Sequence, residues 1–241
     1  MISVIIPVLN EAPRLPGLLA ALAAEAEPHE VLVVDGGSDD DSAGIARRSG
    51  TARVLAAARG RGPQLAAGAA AARGAVLLFL HADSRFPRGG LAAVARALER
   101  APAAPGGNFR LLFDGDDPFS RWLEGFYAAI RARGFYYGDS GIFVRRTVLA
   151  ALGGIRPLAL MEDYDLARRL ERAGPTLCIG EPPLVTSSRR FHGRTRAAIV
   201  AGWLRIHALH HLRLSDRLLA RLYDSERRGE APAPLGRGAR P

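Results

Sequence analysis

The chain contains no lysine and only one cysteine, and each shortage narrows what the protein can be. All 33 basic residues are arginine, in a sequence rich in alanine, glycine and proline. We attribute this bias to genomic base composition, so a single arginine says little about binding. The lone Cys178 excludes an internal disulfide and a cysteine-based metal cluster. It agrees with a reducing compartment, and we expect a cytoplasmic location.

Long hydrophobic runs are also missing. The first apolar segment, residues 2–9, contains Pro7 and ends at Asn10, whereas a membrane-spanning helix needs about 20 apolar residues. No basic leader precedes it, so we expect neither a signal peptide nor a transmembrane helix. With 241 residues, 48% of them hydrophobic, the chain is long enough to form one domain with a sizeable core.

Apolar strands alternate with helical patterns through the first 100 residues. Apolar runs at residues 2–9 and 31–34 flank leucines at helical spacing, and another run at residues 75–80 follows an alanine-rich helical stretch. This alternation predicts parallel strands buried on both faces, as in doubly wound α/β folds. Ligands of such sheets bind at the carboxyl ends of the strands. We therefore expect the chemistry in the polar segments 7–11, 35–41 and 81–84.

The pattern is less regular after residue 100. It predicts strands at residues 108–113 and 141–144, helices at 119–130, 146–152 and 161–172, and one or two basic helices over 199–222. Residues 227–241 lack an apolar period and are dominated by glycine, proline, alanine and arginine, which predicts a disordered tail.

Four motifs resemble, in order and spacing, the family 2 glycosyltransferases of the GT-A fold. They are VIIPVLNE (residues 4–11), VDGGSDD (34–40), LHAD (80–83) and MED (161–163). Two more segments, RGRGPQ (59–64) and YGDSGIF (137–143), are similar to a bacterial subgroup of small, stand-alone members. The resemblance covers residues 1–190.

The resemblance implies an α/β fold of the GT-A (Rossmann-like) type, a single domain with a mixed, mostly parallel sheet flanked by helices. We place the domain at residues 1–226 and the tail at 227–241. The domain is expected to comprise a nucleotide-sugar half (1–100), an acceptor half (101–195) and C-terminal basic helices (196–226). The implied activity is inverting transfer of a sugar from a nucleotide-diphosphate donor, a UDP-sugar in the first instance, to an acceptor hydroxyl.

Asp35 is the first candidate contact of the nucleotide. It ends a buried strand and precedes two glycines, so its carboxylate can point into a cleft that a ligand approaches closely. The resemblance makes it a base contact, while helix capping is the structural alternative, which we assign to Asp40 and Asp41. The resemblance assigns further nucleotide-sugar contacts to Pro7, Asn10, Glu11, Gly36, Arg59, Gln64, His81 and Ala82.

For two of these residues, Glu11 and Arg59, the local sequence adds an argument of its own. Glu11 has an equally good structural explanation, because a carboxylate is favoured at the start of a helix. Arg59 and Arg61 flank glycines before a predicted helix, an arrangement that can cradle phosphate through guanidinium and backbone N–H groups.

The LHAD segment lies where the family has a metal-binding Asp-x-Asp. Asp83 is the candidate ligand of Mn²⁺ or Mg²⁺, and one protein carboxylate can suffice because waters and the substrate diphosphate complete the shell. His81 replaces the first aspartate. It either ligates the metal through nitrogen, hydrogen-bonds the ribose or Asp83, or is a structural histidine.

Glu162 and Asp163 are the candidate catalytic pair. Inverting transfer needs one base that removes the proton of the acceptor hydroxyl, while a metal neutralises the leaving diphosphate. By resemblance Asp163 is that base and Glu162 orients it or the acceptor, with Gly138 and Asp139 on the acceptor side. The alternative is that both carboxylates simply favour a helix N-terminus. Asp165 is expected to face solvent.

Processive members of the family carry Gln-x-x-Arg-Trp, which is absent here. The corresponding region is SSRRFH (187–192), so a non-processive enzyme is expected. In this region Arg189 and Arg190 are candidate donor ligands. His192 is a candidate metal ligand, although a lone histidine in a loop is more often unliganded.

Positive charge is concentrated near the C-terminus. Residues 186–221 contain eight arginines and one acid, in a chain of net charge +9. Five residues at helical steps form an apolar stripe: Ile199, Trp203, Ile206, His210 and Leu214. This basic amphipathic helix either packs on the core or lies on an anionic membrane. The second interpretation predicts peripheral contact with the inner face of the membrane and a lipid acceptor.

Three other functions stay open. A sugar nucleotidyltransferase would bind similar ligands, but its glycine-rich, arginine-bearing signature is missing after the first strand. A basic binding module would explain the charge, but no aromatic and basic platform accompanies it, so we expect no nucleic-acid partner. A catalytically inactive nucleotide-sugar binder would keep the same contacts. A dinucleotide oxidoreductase is disfavoured because no G-x-G-x-x-G follows an early strand.

Overall fold

The computed structural model describes residues 1–188, 191, 193–212, 214–216, 218–220 and 222–223. In chain order its elements are β1 (Ile2–Val8), α1 (Leu15–Ala23), β2 (His29–Asp35), α2 (Ser42–Arg48), β3 (Ala52–Ala56), α3 (Arg61–Ala71), β4 (Val76–Phe79), α4 (Gly90–Arg100), β5 (Gly106–Phe113), α5 (Pro118–Arg131), β6 (Ile142–Arg145), α6 (Arg146–Ala151), α7 (Glu162–Ala173), β7 (Leu177–Thr186) and α8 (Arg196–His211). The predicted tail 227–241 lies outside the described residues.

One seven-stranded sheet organises the fold, in the order β3-β2-β1-β4-β6-β5-β7. Only β6 runs antiparallel to its neighbours among these described strands. The predicted mixed, mostly parallel sheet is therefore confirmed. The apolar pattern does not predict β7, because Gly180, Pro182 and Pro183 interrupt its segment.

Helices cover both faces of the sheet. Alternate strand residues point to opposite faces, so Val4 and Ile6 join one apolar core while Ile5 joins the other. The first core is completed by residues of α1, α2 and α4, and the second by residues of α3, α6 and α7. Burial on both faces explains why the central strands are continuous apolar runs.

The antiparallel direction of β6 brings distant segments together. Phe79 at the end of β4 pairs with Ile142 at the start of β6. Residues that precede β6 must therefore lie beside residues that follow β4, which are His81 to Asp83. The segment before β6 is a 3₁₀ turn, Gly138–Ser140.

The chain divides into two compact units, Met1–Ser188 and Arg189–Pro241. In the described part of the second unit, α8 begins at a Thr195 cap whose hydroxyl accepts the N–H of Ala198. Because α8 ends at His211, Leu214 lies beyond it, and the predicted stripe does not continue to that residue on one helix. None of the described helices is both long and apolar enough to cross a membrane.

Candidate active site

The loops that follow β1 and β2 form one cross-linked platform. Asn10 accepts the N–H of Asp39 at 2.8 Å through its side-chain oxygen, and its own N–H donates to the Ser38 hydroxyl at 3.0 Å. Asn10 has a φ of +56°, a left-handed conformation that asparagine tolerates better than most residues. The Asp35 carboxylate accepts the N–H groups of Gly37 and Ser38 at 3.1 and 3.2 Å. Asp35 thus shapes the loop that a ligand would meet.

Of the two aspartates predicted to cap α2, only Asp40 does so. Asp40 accepts the N–H of Ser42, the first residue of α2, and that of Ala12, both at 3.0 Å. The Ser42 hydroxyl donates to the same carboxylate and lowers the pKa of Asp40. Asp41 stands at the N-cap position without a capping bond and pairs with Arg48 instead, so its predicted capping role is wrong.

Gln64 ties the ends of β1 and β2 together. Its side-chain amide donates to the carbonyls of Val8 at 2.8 Å and Val34 at 2.7 Å, and the residue is buried. A Cβ on Gly36 would lie 2.9 Å from the Gln64 amide carbon, so a side chain at position 36 would displace the Gln64 amide from these carbonyls. Gln64 and Gly36 therefore hold the strand ends on which the platform stands.

Arginine side chains border the same platform. Arg59 donates to the carbonyl of Gly37 at 3.0 Å and lies 3.5 Å from the Asp39 carboxylate. Glu11 forms an ion pair with Arg14 at 3.0 Å at the start of α1. Pro7 is half-buried inside β1. The Arg59 guanidinium, whose side chain is 60% exposed, remains accessible to an anionic ligand.

The segment after β4 is a tight turn, in which Ser84 donates its N–H to the carbonyl of His81 at 3.1 Å. His81 and Asp83 keep exposed surface while Ala82 between them is buried. Asp83 borders a cavity of about 340 Å³ whose polar lining includes Arg14, Arg85, Asp114 and Ser187. The two candidate metal ligands are thus alternate residues of one turn.

Desolvation lowers the pKa of His81, and the charge of Arg61 acts in the same direction. The carboxylates of Asp139, Asp83 and Asp163 oppose this shift without reversing it. The imidazole is therefore neutral at pH 7, and one ring nitrogen carries a lone pair that can bind a metal or accept a hydrogen bond.

Asp163 lies in the first turn of α7 and is 8% exposed. One carboxylate oxygen, Oδ2, accepts the N–H of Gly138 at 2.9 Å, and Oδ1 accepts the N–H of Tyr164 at 2.7 Å. Burial acts to raise the pKa of Asp163, but the charge of Arg61 and the N–H of Gly138 outweigh it, and the pKa lies below its ordinary value. Asp163 is therefore ionised at neutral pH.

Gly138 lies between the side chains of Asp163 and His81, where there is little space for a side chain at position 138. A Cβ at position 138 would lie 2.9 Å from Nε2 of His81 and 3.2 Å from Oδ2 of Asp163. The candidate base, the candidate metal-binding turn and the turn before β6 consequently meet at one point.

Glu162 is almost completely buried beside this point. Its Oε1 lies 2.7 Å from Nε of Arg61, and its side chain is 1% exposed. Burial raises the pKa of Glu162 to about 7 even though Arg61 acts to lower it. Glu162, Asp163, His81 and Gly138 share the lining of a cavity of about 10 Å³, which has room for about one water molecule.

Three features of the site differ from the sequence analysis or add to it. Asp139 is buried and accepts the Tyr127 hydroxyl at 3.0 Å. Asp165, which was expected to face solvent, is mostly buried and pairs with Arg156 and Arg169 at 2.8 Å each, so that expectation is wrong. Arg61 contacts Glu162, a role that the sequence analysis did not predict, since its only signal was the arrangement of arginines and glycines that can cradle phosphate.

The candidate residues Arg189, Arg190 and His192 lie outside the described residues.

Comparison with known proteins identifies the family. The model of the family described as "Glycosyl transferase family 2" matches residues 3–146. The uncharacterized glycosyltransferase Rv0539 of Mycobacterium tuberculosis is 34% identical over 99 residues, which are 41% of this chain and 44% of the relative. The match thus spans less than half the length of that curated relative.

The fold is shared by solved structures, among them two that are named with nucleotide ligands. The mannosyltransferase PcManGT from Pyrobaculum calidifontis, in complex with GDP-Man and Mn²⁺, has a TM-score of 0.62 and 23% identity, with 88% of this chain and 61% of that chain covered. Glucosyl-3-phosphoglycerate synthase from Mycobacterium tuberculosis, in complex with Mn²⁺, UDP and glucosyl-3-phosphoglycerate, has a TM-score of 0.59 and 18% identity, with 98% and 82% covered. At these identities the likeness concerns the fold, which is GT-A.

Proposed function

Because the chain belongs to glycosyl transferase family 2 and is a glycosyltransferase, we propose that it is an inverting, non-processive enzyme that transfers a sugar from a UDP-sugar to an acceptor hydroxyl. The observation that carries the proposal is the environment of Asp163. It is ionised and held by the Gly138 N–H beside the turn that carries His81 and Asp83.

Asp163 serves as the general base. It takes the proton of the acceptor hydroxyl while the acceptor oxygen forms a bond to the anomeric carbon of the sugar. The bond from that carbon to the diphosphate breaks in the same displacement, and the nucleoside diphosphate leaves with the electron pair. A single displacement inverts the anomeric centre and needs no nucleophilic carboxylate, so the ionised Asp163 suffices as the base.

A divalent cation, Mn²⁺ or Mg²⁺, is part of the proposal, and the donor set suits it. Asp83 supplies carboxylate oxygens and neutral His81 supplies an imidazole nitrogen. Among the described residues no group of three or more histidine, cysteine, aspartate or glutamate side chains is placed to hold a metal ion. Such a cation would be held by Asp83 and His81, with His192, water and the donor diphosphate as further ligands. When bound, it neutralises charge on the leaving diphosphate.

The donor lies on the platform formed by the ends of β1 and β2. Asp35 contacts the base, and Pro7, Asn10, Glu11, Gly36 and Ala82 contribute to the nucleotide-sugar site. Arg59, whose side chain is largely exposed, contacts the phosphates. Arg189 and Arg190 are proposed as additional donor ligands and His192 as a further metal ligand. The nucleotides named with the two similar structures, GDP-Man and UDP, support a nucleotide-diphosphate donor.

The acceptor approaches Asp163 from the side of Gly138 and Asp139. We propose a lipid acceptor for a bacterial, cytoplasmic enzyme that contacts the inner face of the membrane through α8. Leu204 in α8 is 67% exposed and Arg205 beside it is also exposed. Ile199 and Ile206 of the predicted stripe are buried, so Leu204 and the exposed Leu212 just beyond the helix are the apolar side chains that would meet the lipid.

The function is tested by incubating the purified chain with a panel of nucleotide sugars, with Mn²⁺, with Mg²⁺ and with EDTA. Metal-dependent release of UDP from one UDP-sugar is the expected result. Release of GDP from a GDP-sugar alone would show that the donor nucleotide is GDP and not UDP. No release from any donor, and no calorimetric binding of UDP or GDP with Mn²⁺, would overturn the proposal.

A further inference from the structure

Arg61 links the donor side of the enzyme to the catalytic pair. It begins α3, and its Nε lies 2.7 Å from Oε1 of Glu162, the first residue of α7. The Glu162 side chain is 1% exposed, whereas that of Arg61 is 39% exposed. The guanidinium therefore reaches a buried carboxylate while part of it remains at the surface.

The close approach of α3 to α7 is set by the backbone. A Cβ on Gly62 would lie 2.3 Å from the carbonyl oxygen of Leu158 and 2.7 Å from its nitrogen. Gly62 thus lets the segment that leads into α7 pack directly on the first turn of α3. This packing fixes the distance that the Arg61 side chain has to span.

The ion pair is the main polar contact of Glu162. Both of its carboxylate oxygens are buried without a hydrogen bond among the described residues, so the charge of Arg61 at 2.7 Å from Oε1 is what compensates the burial of this carboxylate. A buried carboxylate that loses its counter-ion must move or take up a proton. Either change would disturb the first turn of α7, which also carries Asp163 and its bond to Gly138.

We propose that Arg61 is a positioning residue, which holds Glu162 and the first turn of α7 so that Asp163 faces the reacting hydroxyl. The inference rests on the proposed function, because it requires Asp163 to be the base. It differs from the phosphate-cradling interpretation of the sequence, in which Arg61 acts on the donor alone. Its loss therefore lowers the rate of transfer far more than it weakens donor binding.

The test compares wild type with Arg61→Gln, Glu162→Gln and the double variant. Arg156→Gln is the matched control, because Arg156 pairs with Asp165 of the same helix through an exposed side chain. We expect Arg61→Gln to lower kcat at least about tenfold and to change the affinity for UDP with Mn²⁺ less than about threefold. The double variant should lose no more kcat than the more impaired single variant, since both mutations remove one interaction. The control should keep its kcat.

Two results would overturn the inference. One is a normal kcat with a large loss of UDP affinity, which would make Arg61 a phosphate ligand. The other is independent, multiplicative losses of kcat in the double variant. If Arg61→Gln does not fold, Arg61→Lys replaces it, and a kcat loss is still required because lysine lacks the planar guanidinium.

A measurement without catalysis separates this inference from the proposed function. Urea unfolding of wild type, the two single variants and the double variant gives the coupling free energy between Arg61 and Glu162. We expect this coupling to correspond to about a tenfold change in the unfolding equilibrium constant. Zero coupling overturns the ion pair even if transfer is observed. Strong coupling in a chain that neither binds nor cleaves any nucleotide sugar overturns the proposed function, and with it the catalytic role of Arg61.

Discussion

Gly138 donates its backbone N–H to Oδ2 of Asp163 across 2.9 Å, and this bond joins the turn before β6 to the first turn of α7. The donor is a backbone N–H, so the carboxylate keeps this hydrogen bond in any variant that keeps the turn in place. The bond also favours the ionised form of the aspartate. The turn before β6 thereby holds the proposed base in position and, together with the charge of Arg61, keeps its pKa below the ordinary value.

Asp163→Asn should separate chemistry from binding. The amide keeps the shape of the side chain but cannot take a proton, so kcat should fall about 100-fold or more while UDP affinity stays nearly unchanged. Steady-state kinetics and calorimetry on the same preparation measure both. Near-normal turnover would mean that another group is the base.

Asp83→Ala should abolish the metal-dependent part of UDP binding and leave the fold intact, because Asp83 would join the protein to the metal and diphosphate. Calorimetric titration of UDP with Mn²⁺ and with EDTA measures the effect. Asp116→Ala, at an exposed aspartate, is the control and should bind as wild type does. Unchanged affinity in folded Asp83→Ala would remove Asp83 from the site.

Gly138→Ala should reduce transfer by about tenfold or more, since the new Cβ would lie 2.9 Å from Nε2 of His81 and must displace the imidazole or the Asp163 carboxylate. Gly125→Ala in α5 is the matched control, because nothing lies within 4 Å of its Cβ. The control should gain about 0.5–1 kcal/mol of stability through helix propensity and keep its activity. Equal activity of both variants would contradict the described contact.

Glu162 should make stability depend on pH. Its pKa is raised from 4.5 to about 7 in the folded protein, so the folded state binds more protons than the unfolded chain between these values. The free energy of unfolding should therefore fall as pH rises through that window, by an amount on the order of a few kcal/mol. Urea unfolding at pH 5 and 7.5 in EDTA measures it.

Glu162→Gln supplies the comparison for this pH effect, because glutamine does not titrate. The variant should gain stability relative to wild type as pH rises from 5 to 7.5. A constant difference between the two proteins over that range would show that the folded pKa of Glu162 is not raised.

Vesicle binding tests the proposed membrane contact. Arginines near the C-terminus should give affinity for anionic vesicles that falls steeply with salt, because screening weakens attraction to the surface. Co-sedimentation with anionic and with neutral vesicles, at low and high salt, measures this affinity. Equal, negligible binding in all four conditions would direct the acceptor search to water-soluble molecules.

The sequence by itself determined most of the elements, though not β7, and the segments that form the site. The spacing of apolar residues depends only on residues close in sequence. It therefore predicts strands such as Ile2–Val8 and helices such as Glu162–Ala173. The loops after β1 and β2 follow as well, since Asp35 binds N–H groups two and three residues away. Asp163 and Asp83 were identified because they belong to motifs, not because of their contacts.

Only the tertiary structure decided which side chains meet. Gly138 contacts Asp163 because β6 runs antiparallel to β4. Gln64 contacts Val8 because α3 packs on β1, and Arg61 contacts Glu162 because α3 packs against α7. The structure also pairs Asp165 with Arg156 and Arg169, whereas the sequence analysis expected it to face solvent. The first three contacts join residues far apart in the chain, and no local pattern encodes their partners. Their energies depend on burial, which the assembled fold alone supplies.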